Sequence, residues 1–423
     1  MLIDFRVRNF RSFKDECTLS LVASSDADLR ETNTFDTKVS AVPAVVRAAG
    51  IYGANASGKS NLIRALLLMR GVVLESATLL QAGQLFNVQP FRLDEKTATE
   101  PTLFEVTVLL DGIRHQYGFE FTAERIVSEW LLVYLKNKPQ KWFERKFDGT
   151  EDKIDPGTYL TGPKRTWQDA TRPNALFLST AVQLNSVQLQ PLFAWFAESL
   201  NIFLDGGHLP FDFSASSIED TSRRDAIISL LRAADIGIAS ITTEKKKGVQ
   251  QTVHFDLTTG ASNVQRVERE LLLPRFTHKG KIAAEFDFGD ESQGTQKLFS
   301  LAGPLLDIID KGRILAIDEL DSSLHPLLMR QILKAFQDPE LNTKGAQIIF
   351  TTHDTSLLDG KVLRRDQIWF TEKLEDQSSV LIPLTEFSPR KGEAIERGYL
   401  SGRYGGVPIL RDRLIAGRRG AAR

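Results

Sequence analysis

Cysteine is almost missing from this chain: Cys17 is the single one in 423 residues. An intramolecular disulfide and any cysteine-built metal cluster are thereby excluded, and Cys17 is expected to act as a small half-buried hydrophobe in the first hairpin. An excess of one charge sign is missing too. Lys and Arg number 53 against 54 Asp and Glu, a net charge of −1. No global positive field advertises nucleic-acid binding, so DNA stays possible through a local patch but is not indicated by net charge. No eighteen uncharged apolar residues run together, so no transmembrane helix and no membrane partner are expected. The opening Met1-Leu-Ile-Asp-Phe-Arg-Val-Arg has charges inside its apolar stretch and no signal-peptide core. The cytoplasm is the expected location. Internal repeats, low-complexity tracts and sustained heptads are also lacking, so a long coiled-coil arm is not expected. With 42% hydrophobic and 25% charged residues, this is the makeup of an ordinary soluble protein of about two or three domains.

What is present begins at Gly53. Gly53, Ala54, Asn55, Ala56, Ser57, Gly58, Lys59 and Ser60 spell a complete G-x-x-x-x-G-K-S phosphate loop. The glycines let the backbone curl so that its N–H groups point inward at phosphates. Lys59 reaches the β- and γ-phosphates, and Ser60 offers a hydroxyl to the metal. The apolar run through Ile51 and Tyr52 reads as a buried strand entering the loop. Ser60, Asn61 and the apolar-rich stretch to Arg70 read as a helix leaving it, whose N-terminus favours an anion. The ligands implied are ATP and Mg²⁺.

A second group of motifs lies at the far end of the chain. Glu291-Ser292-Gln293-Gly294-Thr295 places a Ser-x-Gly at the start of a predicted helix, a further phosphate receptor or, equally, an ordinary helix cap. Ile314-Leu-Ala-Ile runs into Asp318 and Glu319. Two adjacent acids ending a buried strand are costly unless a cation or a reaction uses them. Asp318 suits Mg²⁺, and Glu319 is placed to orient and deprotonate an attacking water. Asp321-Ser-Ser-Leu-His325-Pro326 makes a turn, and Gln347-Ile-Ile-Phe-Thr-Thr-His353 is a strand ending in a histidine able to contact a γ-phosphate.

Between these ends the pattern is mixed. Alternating strands are expected in residues 1–22, 103–110, 114–121 and 126–134, with Asp111-Gly112 as a hairpin turn. Residues 181–204 and 223–234 have helical spacing. Glu244-Lys-Lys-Lys-Gly248 reads as a polar loop, followed by short strands at 251–257 and 281–288. The expected division is an N-terminal half of a nucleotide-binding head (1–135), an inserted mixed region (136–280), the C-terminal half of the head (281–375) and an extension with a basic tail (376–423).

Taken as an ordered series, the phosphate loop, Ser292-x-Gly294-Thr, Ile317-Asp-Glu-Leu-Asp321 with Ser-Leu-His-Pro, and Thr-Thr-His353-Asp resemble ABC-type ATPase heads. That superfamily includes the SMC-like and RecF-like repair ATPases and the OLD-type nucleases. Asn9-Phe-Arg11-Ser-Phe, Gln89-Pro-Phe-Arg-Leu-Asp94, Arg364-Arg-Asp-Gln-Ile-Trp-Phe370 and Gly402-Arg-Tyr-Gly-Gly-Val-Pro408 resemble, more narrowly, stand-alone bacterial ATPases of the RloA and abortive-infection type. The fold implied is α/β: an ABC-type P-loop ATPase head, a mixed sheet with flanking helices plus an N-terminal antiparallel β region, carrying a compact mixed α/β insertion. The resemblance further implies a homodimer, or higher homo-oligomer, that sandwiches ATP. Ser292 and Gly294 would act in trans, Asp321 would lie in the seam, Gln89 would contact Mg²⁺ and Arg11 would border the adenine. Gln293 and Thr295 depart from the usual Leu-Ser-Gly-Gly-Gln signature.

Three uses of the ATP compete. The resemblance implies an ATPase that senses an intruding phage signal and controls a separately encoded effector protein. No Asp-x-Asp of a Toprim nuclease follows His353, which favours a separate effector. A DNA-repair or replication ATPase would clamp duplex, with the tail from Arg411 to Arg423 and Lys245, Lys246 and Lys247 as contacts. A nucleotide-switched scaffold would need no base, and Glu319 weighs against it.

Overall fold

Residues 48–53, Ala-Ala-Gly-Ile-Tyr-Gly, are all buried, the pattern of a strand covered on both faces. Ile314–Ile317 and Gln347–Thr351 share it. The structure, a computed structural model, describes residues 1–136, 138–204, 209–234, 237–255, 262–390 and 392–407. It sets these three runs side by side as β5 (Ala48–Gly53), β15 (Ile314–Ile317) and β16 (Gln347–Thr351). With β11 (Leu200–Phe203), β17 (Ile368–Lys373) and β18 (Ser379–Pro383) they form one sheet, ordered β11-β15-β16-β5-β17-β18. The first five strands are parallel, and β18 runs antiparallel at the edge. Their carboxyl ends share one edge, where ligands of open α/β sheets bind.

Alternation along the strands divides the core. Ala49, Ile51, Ile314, Ala316 and Ile349 join one apolar cluster, which includes Leu62, Leu66 and Met69 of α1 (Lys59–Glu75). Ala48, Tyr52, Leu315, Ile317, Ile348 and Phe350 join a second. That cluster takes in side chains of α2 (Thr221–Ala233), α3 (Gln293–Lys311) and α4 (Pro326–Gln337). The first cluster continues into an antiparallel sheet, β10-β9-β8-β7-β6-β1-β2. Its strands are β1 (Leu2–Arg8), β2 (Cys17–Ser20), β6 (Thr102–Leu110), β7 (Ile113–Phe121), β8 (Ile126–Lys136), β9 (Lys138–Phe147) and β10 (Asp152–Pro156). Here burial alternates, as in β1, because only one face meets the core. β3 (Thr34–Val39) and β4 (Val42–Val46) form a separate pair.

Two segments differ from the sequence expectation. The helical spacing of residues 181–204 breaks into Phe177–Gln183, Gln190–Ala194 and a π-turn at Trp195–Ser199, and Leu200–Phe203 becomes β11. Edge pairing decides it: β11 runs parallel to β15, and the Asp318 amide donates to the Phe203 carbonyl at 2.9 Å. Glu244-Lys-Lys-Lys-Gly248 lies inside a strand rather than a loop. β12 (Ile238–Phe255) and β13 (Ser262–Lys279) make a hairpin about 60 Å long, flanked by β14 (Ala283–Asp287). Among the described residues, its base joins the core through Ile238, Ile241 and Phe276.

Candidate functional site

The phosphate loop leaves β5 at Gly53 and enters α1 at Lys59. Ala56 and Gly58 are left-handed, with φ of 62° and 114°. A side chain at Gly58 would also meet the Ser379 hydroxyl at 2.6 Å, so the turn is closed by β18 as well as by its own backbone. Ser57 shares a 2.6 Å hydrogen bond with Thr371 of β17, and the Asn61 amide donates to Ser12 at 2.8 Å. Lys59 is only 6% exposed. Its ammonium donates to the carbonyls of Gly53 (2.8 Å) and Ala54 (3.1 Å), and among the described residues it makes no ion pair. Burial pushes Lys59 below the ordinary lysine range, while Asp318, Glu319 and Asp321 pull it back.

Asp318 and Glu319 follow β15. Register brings them to β16, since Ile317 pairs with Phe350 and the next residue is Thr351. The Thr351 hydroxyl donates to Asp318 Oδ1 at 2.6 Å and accepts from the Glu319 amide at 2.7 Å. Asp318 is buried at 4% exposure, whereas Glu319 is exposed and left-handed, with φ 51°. A non-glycine residue at such a backbone position is held there by its surroundings. His353 is the second residue of the loop after β16, and its amide donates to Asp321 at 3.0 Å. Much of His353 faces solvent, yet partial burial of the ring and then the Lys59 charge lower its pKa; Asp321, Glu319 and Asp318 oppose this. These acids, Lys59 and His353 therefore form one electrostatic unit at the carboxyl edge of the parallel sheet.

Ser292 caps α3, its hydroxyl accepting from the Thr295 amide at 3.2 Å. The helix start does not share the cavity beside the phosphate loop of its own chain. That cavity, of about 830 Å³, is lined by Gly53, Ala54, Asn55, Ser57, His353 and Thr371, with Tyr399, Gly405 and Gly406 opposite. Gln293 opens instead onto a separate cleft with Lys297, Ser322 and Ser323. Gly294 lies close under that turn, where an added Cβ would sit 3.0 Å from the Ser323 carbonyl.

Arg11 and Gln89 do not line that cavity, but Ser12, next to Arg11, accepts from Asn61 just after the phosphate loop. Arg11 has φ 52°, its amide donates to the Gln89 carbonyl at 2.7 Å, and it lines a shallow pocket with Phe10, Arg64 and Asn87. Gln89 is thus fixed through its backbone beside Arg11. Burial, then the neighbouring Arg64, lowers the pKa of Arg11.

Sequence reasoning passed over several side chains. Thr351 and Thr371 are ordinary strand residues until register sets them against Asp318 and Ser57. Tyr399 donates to the Gly406 carbonyl at 3.2 Å and stacks on Phe370. Burial raises its pKa, and the Gly53 backbone draws it partly back. The C-terminal segment thereby rests on the first residue of the phosphate loop. Its Gly402-Arg-Tyr-Gly-Gly-Val string was the visible signal. Lys245, Lys246 and Lys247 are exposed, but Lys245 pairs with Glu219 and Glu270 and Lys246 with Glu244. That neutralises much of the patch proposed for DNA. The tail from Arg411 to Arg423 lies outside the described residues.

Among the described residues no three His, Cys, Asp or Glu side chains converge as a ready metal site. Ser60, Asp318 and Gln89 carry oxygen donors, the chemistry of a hard cation, and phosphate and water would complete the shell of a Mg²⁺ ion held there. No helix among the described residues is long and apolar enough to cross a membrane.

Comparison with known proteins gives a family and a set of distant folds. The family model described as "AAA domain, putative AbiEii toxin, Type IV TA system" matches residues 48–359. No curated protein matches. Among solved structures, the chain is similar to the SMC head domain from Thermotoga maritima, at 15% identity and a TM-score of 0.40, covering 90% of this chain and 98% of that one. It is also similar to the Pyrococcus furiosus Smc head domain with an extended coiled coil bound to the C-terminal domain of ScpA, at 12% identity and a TM-score of 0.39, covering 91% and 97%.

Proposed function

The chain belongs to the AAA-domain family whose model spans residues 48–359, and on that premise we propose that it hydrolyses ATP at a site completed by a second copy of itself. The observation that carries the reading is the Thr351 hydroxyl, which holds Asp318 and the Glu319 amide together on the edge that also bears Lys59. Asp318, buried, keeps one carboxylate oxygen on Thr351 and offers the other to a cation beside Ser60. Mg²⁺, when bound, would offset phosphate charge and help orient the substrate. Lys59 exchanges its two carbonyl partners for phosphate oxygens. Glu319, exposed on its left-handed turn, takes a proton from water, and neutral His353 faces the γ-phosphate. Each part precedes chemistry in binding and orientation; Glu319 alone needs to move a proton.

Two features support a second copy. The helix that Ser292 caps does not reach the phosphate-loop cavity of its own chain, and its first residue, Gln293, lines a different cleft. In the two-copy arrangement Ser292 and Gly294 of each copy meet the nucleotide of the other, with Asp321 near the seam.

The biological reading is the sensor or regulator of an antiviral (anti-phage) defence system that acts with a separately encoded effector in the cytoplasm. The family description, naming a toxin of a type IV toxin–antitoxin system, supports a paired component. The discriminating experiment is mass by light scattering for Glu319→Gln, with and without Mg·ATP, beside the parental ATPase rate. An ATP-dependent rise in mass, with turnover only in the parent, is expected. A monomer in both conditions sinks the shared site, and parental turnover in the variant sinks Glu319 as base.

A further inference from the structure

Lys297 lies in α3, five residues after Ser292, and is only 2% exposed. Burying an ammonium is costly unless its protons find acceptors. Its Nζ donates to the carbonyls of Leu320 (3.1 Å), Glu319 (3.3 Å) and Ser322 (2.5 Å). All three belong to the turn that leaves β15. The same turn carries the Glu319 and Asp321 carboxylates and the left-handed residues Glu319 and Ser323. A second contact lies one turn earlier on the helix, where Gly294 leaves only 3.0 Å between an added Cβ and the Ser323 carbonyl.

We infer that Lys297 is a positioning residue for the ATPase reaction: it fixes the backbone of the Glu319 turn and locks that turn to the Ser292 end of α3. The inference rests on the reading of Glu319 as base. Lys297 touches neither substrate nor metal. Its bonds add to the backbone bonds of the turn, where the Leu320 amide donates to the Thr351 carbonyl at 3.1 Å and the Ser322 amide to the Glu319 carbonyl at 3.0 Å. Thr351 restrains the turn from β16 through the Glu319 amide, and Lys297 restrains it from α3 through the carbonyls. Glu319 thus has its peptide groups pinned on both sides while its side chain stays free to meet water.

A mechanical consequence follows. In a two-copy site the Ser292 helix end faces the partner's nucleotide, while Glu319 serves the nucleotide of its own chain. One buried lysine then connects the element that recognises one nucleotide to the base that cleaves the other. Loss of the lysine leaves the phosphate loop untouched but frees the base, so kcat suffers and ATP affinity does not.

The test is a mutant cycle on the full chain, with Lys297→Met, Glu319→Gln and the double variant assayed beside the parent. Lys297→Met is expected to lower kcat by about tenfold to a hundredfold, the scale of a misplaced catalytic group. Its ATP affinity, read by the nucleotide-induced rise in Tm, stays within about twofold of the parent. Whatever residual turnover Glu319→Gln keeps is not lowered further by the same substitution, because the group it positions is gone. Should Lys297→Met fail to fold, Lys297→Gln, which keeps a shorter donor, is judged by the same criteria. Parental kcat in the Lys297 variant with an inactive Glu319→Gln overturns this inference alone. A parallel loss of kcat and ATP affinity also overturns it, by reducing Lys297 to a purely structural residue. Parental turnover in Glu319→Gln overturns the assignment of the base and the inference with it.

Discussion

Lys59 shows how a binding residue is held at a cost. Its pKa is lowered by burial, so the folded chain binds this proton less tightly than the unfolded chain, whose lysine titrates near about 10.4. The cost to stability is fully present below the folded pKa and fades as pH rises from there to the ordinary value. Replacing the ammonium with a thioether removes it. Lys59→Met is therefore expected to melt no lower than the parent without nucleotide, yet to lose the ATP-induced rise in Tm, which for the parent corresponds to about 2.7 kcal/mol at a hundredfold excess of ligand over Kd. A clear fall in the nucleotide-free Tm would show that the bonds to Gly53 and Ala54 outweigh desolvation. His353 makes a pH prediction of the opposite kind. Its pKa is lowered first by burial and then by Lys59, so it stays neutral to below about pH 6.5. ATP turnover is expected to be level above that pH and to fall beneath it as the imidazole charges. His353→Gln, which cannot charge, should lack this acid limb; a pH–rate profile identical to the parent's would remove His353 from the site.

Elements explain which parts of this could be read in advance. β5, β15 and β16 are legible because strands covered on both faces have to be apolar throughout, and each is followed by polar residues that have no structural need to be there. β11 is not legible: four residues, Leu200-Asn-Ile-Phe, extend a helical pattern and become a strand only because β15 offers an open edge. Thr351 and Lys297 escape notice for a related reason. Their partners lie 33 residues away at Asp318 and 22 residues away at Glu319, and only register and helix packing bring them together. In the C-terminal segment the string from Gly402 is visible as a motif but not as a neighbour of the phosphate loop, and the helix before it, Ile395–Leu400, is not visible at all. Tyr399 and Tyr404 both stack on Phe370, with ring centroids 5.2 and 5.7 Å away, which sets Gly406 against the loop. Gly406 has φ 66°, and an added Cβ would lie 3.2 Å from the Thr371 carbonyl and 3.5 Å from Gly53 Cα. Gly406→Val is expected to weaken ATP binding by tenfold or more, of order 1.4 kcal/mol. Gly360→Ala is the control, since it is equally left-handed (φ 72°) but has nothing within 4 Å; it should cost only the ~1–2 kcal/mol of backbone strain in folding stability and leave ATP binding alone. Equal effects of the two on affinity would separate the segment from the site.

At the scale of the molecule the question is whether one chain holds a complete site. The phosphate loop and the acids of one chain lie along a single sheet edge, whereas the helix that Ser292 caps stays out of the phosphate-loop cavity and turns Gln293 to a separate cleft. If two copies complete each other, defects in the two halves can be complemented. Lys59→Met removes the phosphate-loop half and Ser292→Arg the helix half, and each variant alone is expected to be inactive. In a mixed dimer one of the two sites combines both damaged halves, and the other combines both intact ones. Random pairing at equal concentrations makes about half of the dimers mixed, each with one intact site, so about a quarter of parental activity should return on mixing. If both sites must fire together, Mg·ATP should still drive the inactive mixture into dimers, visible by light scattering. A mixture with neither activity nor an ATP-dependent rise in mass would mean that each chain works alone, and Ser292 would then be no more than the cap of its own helix.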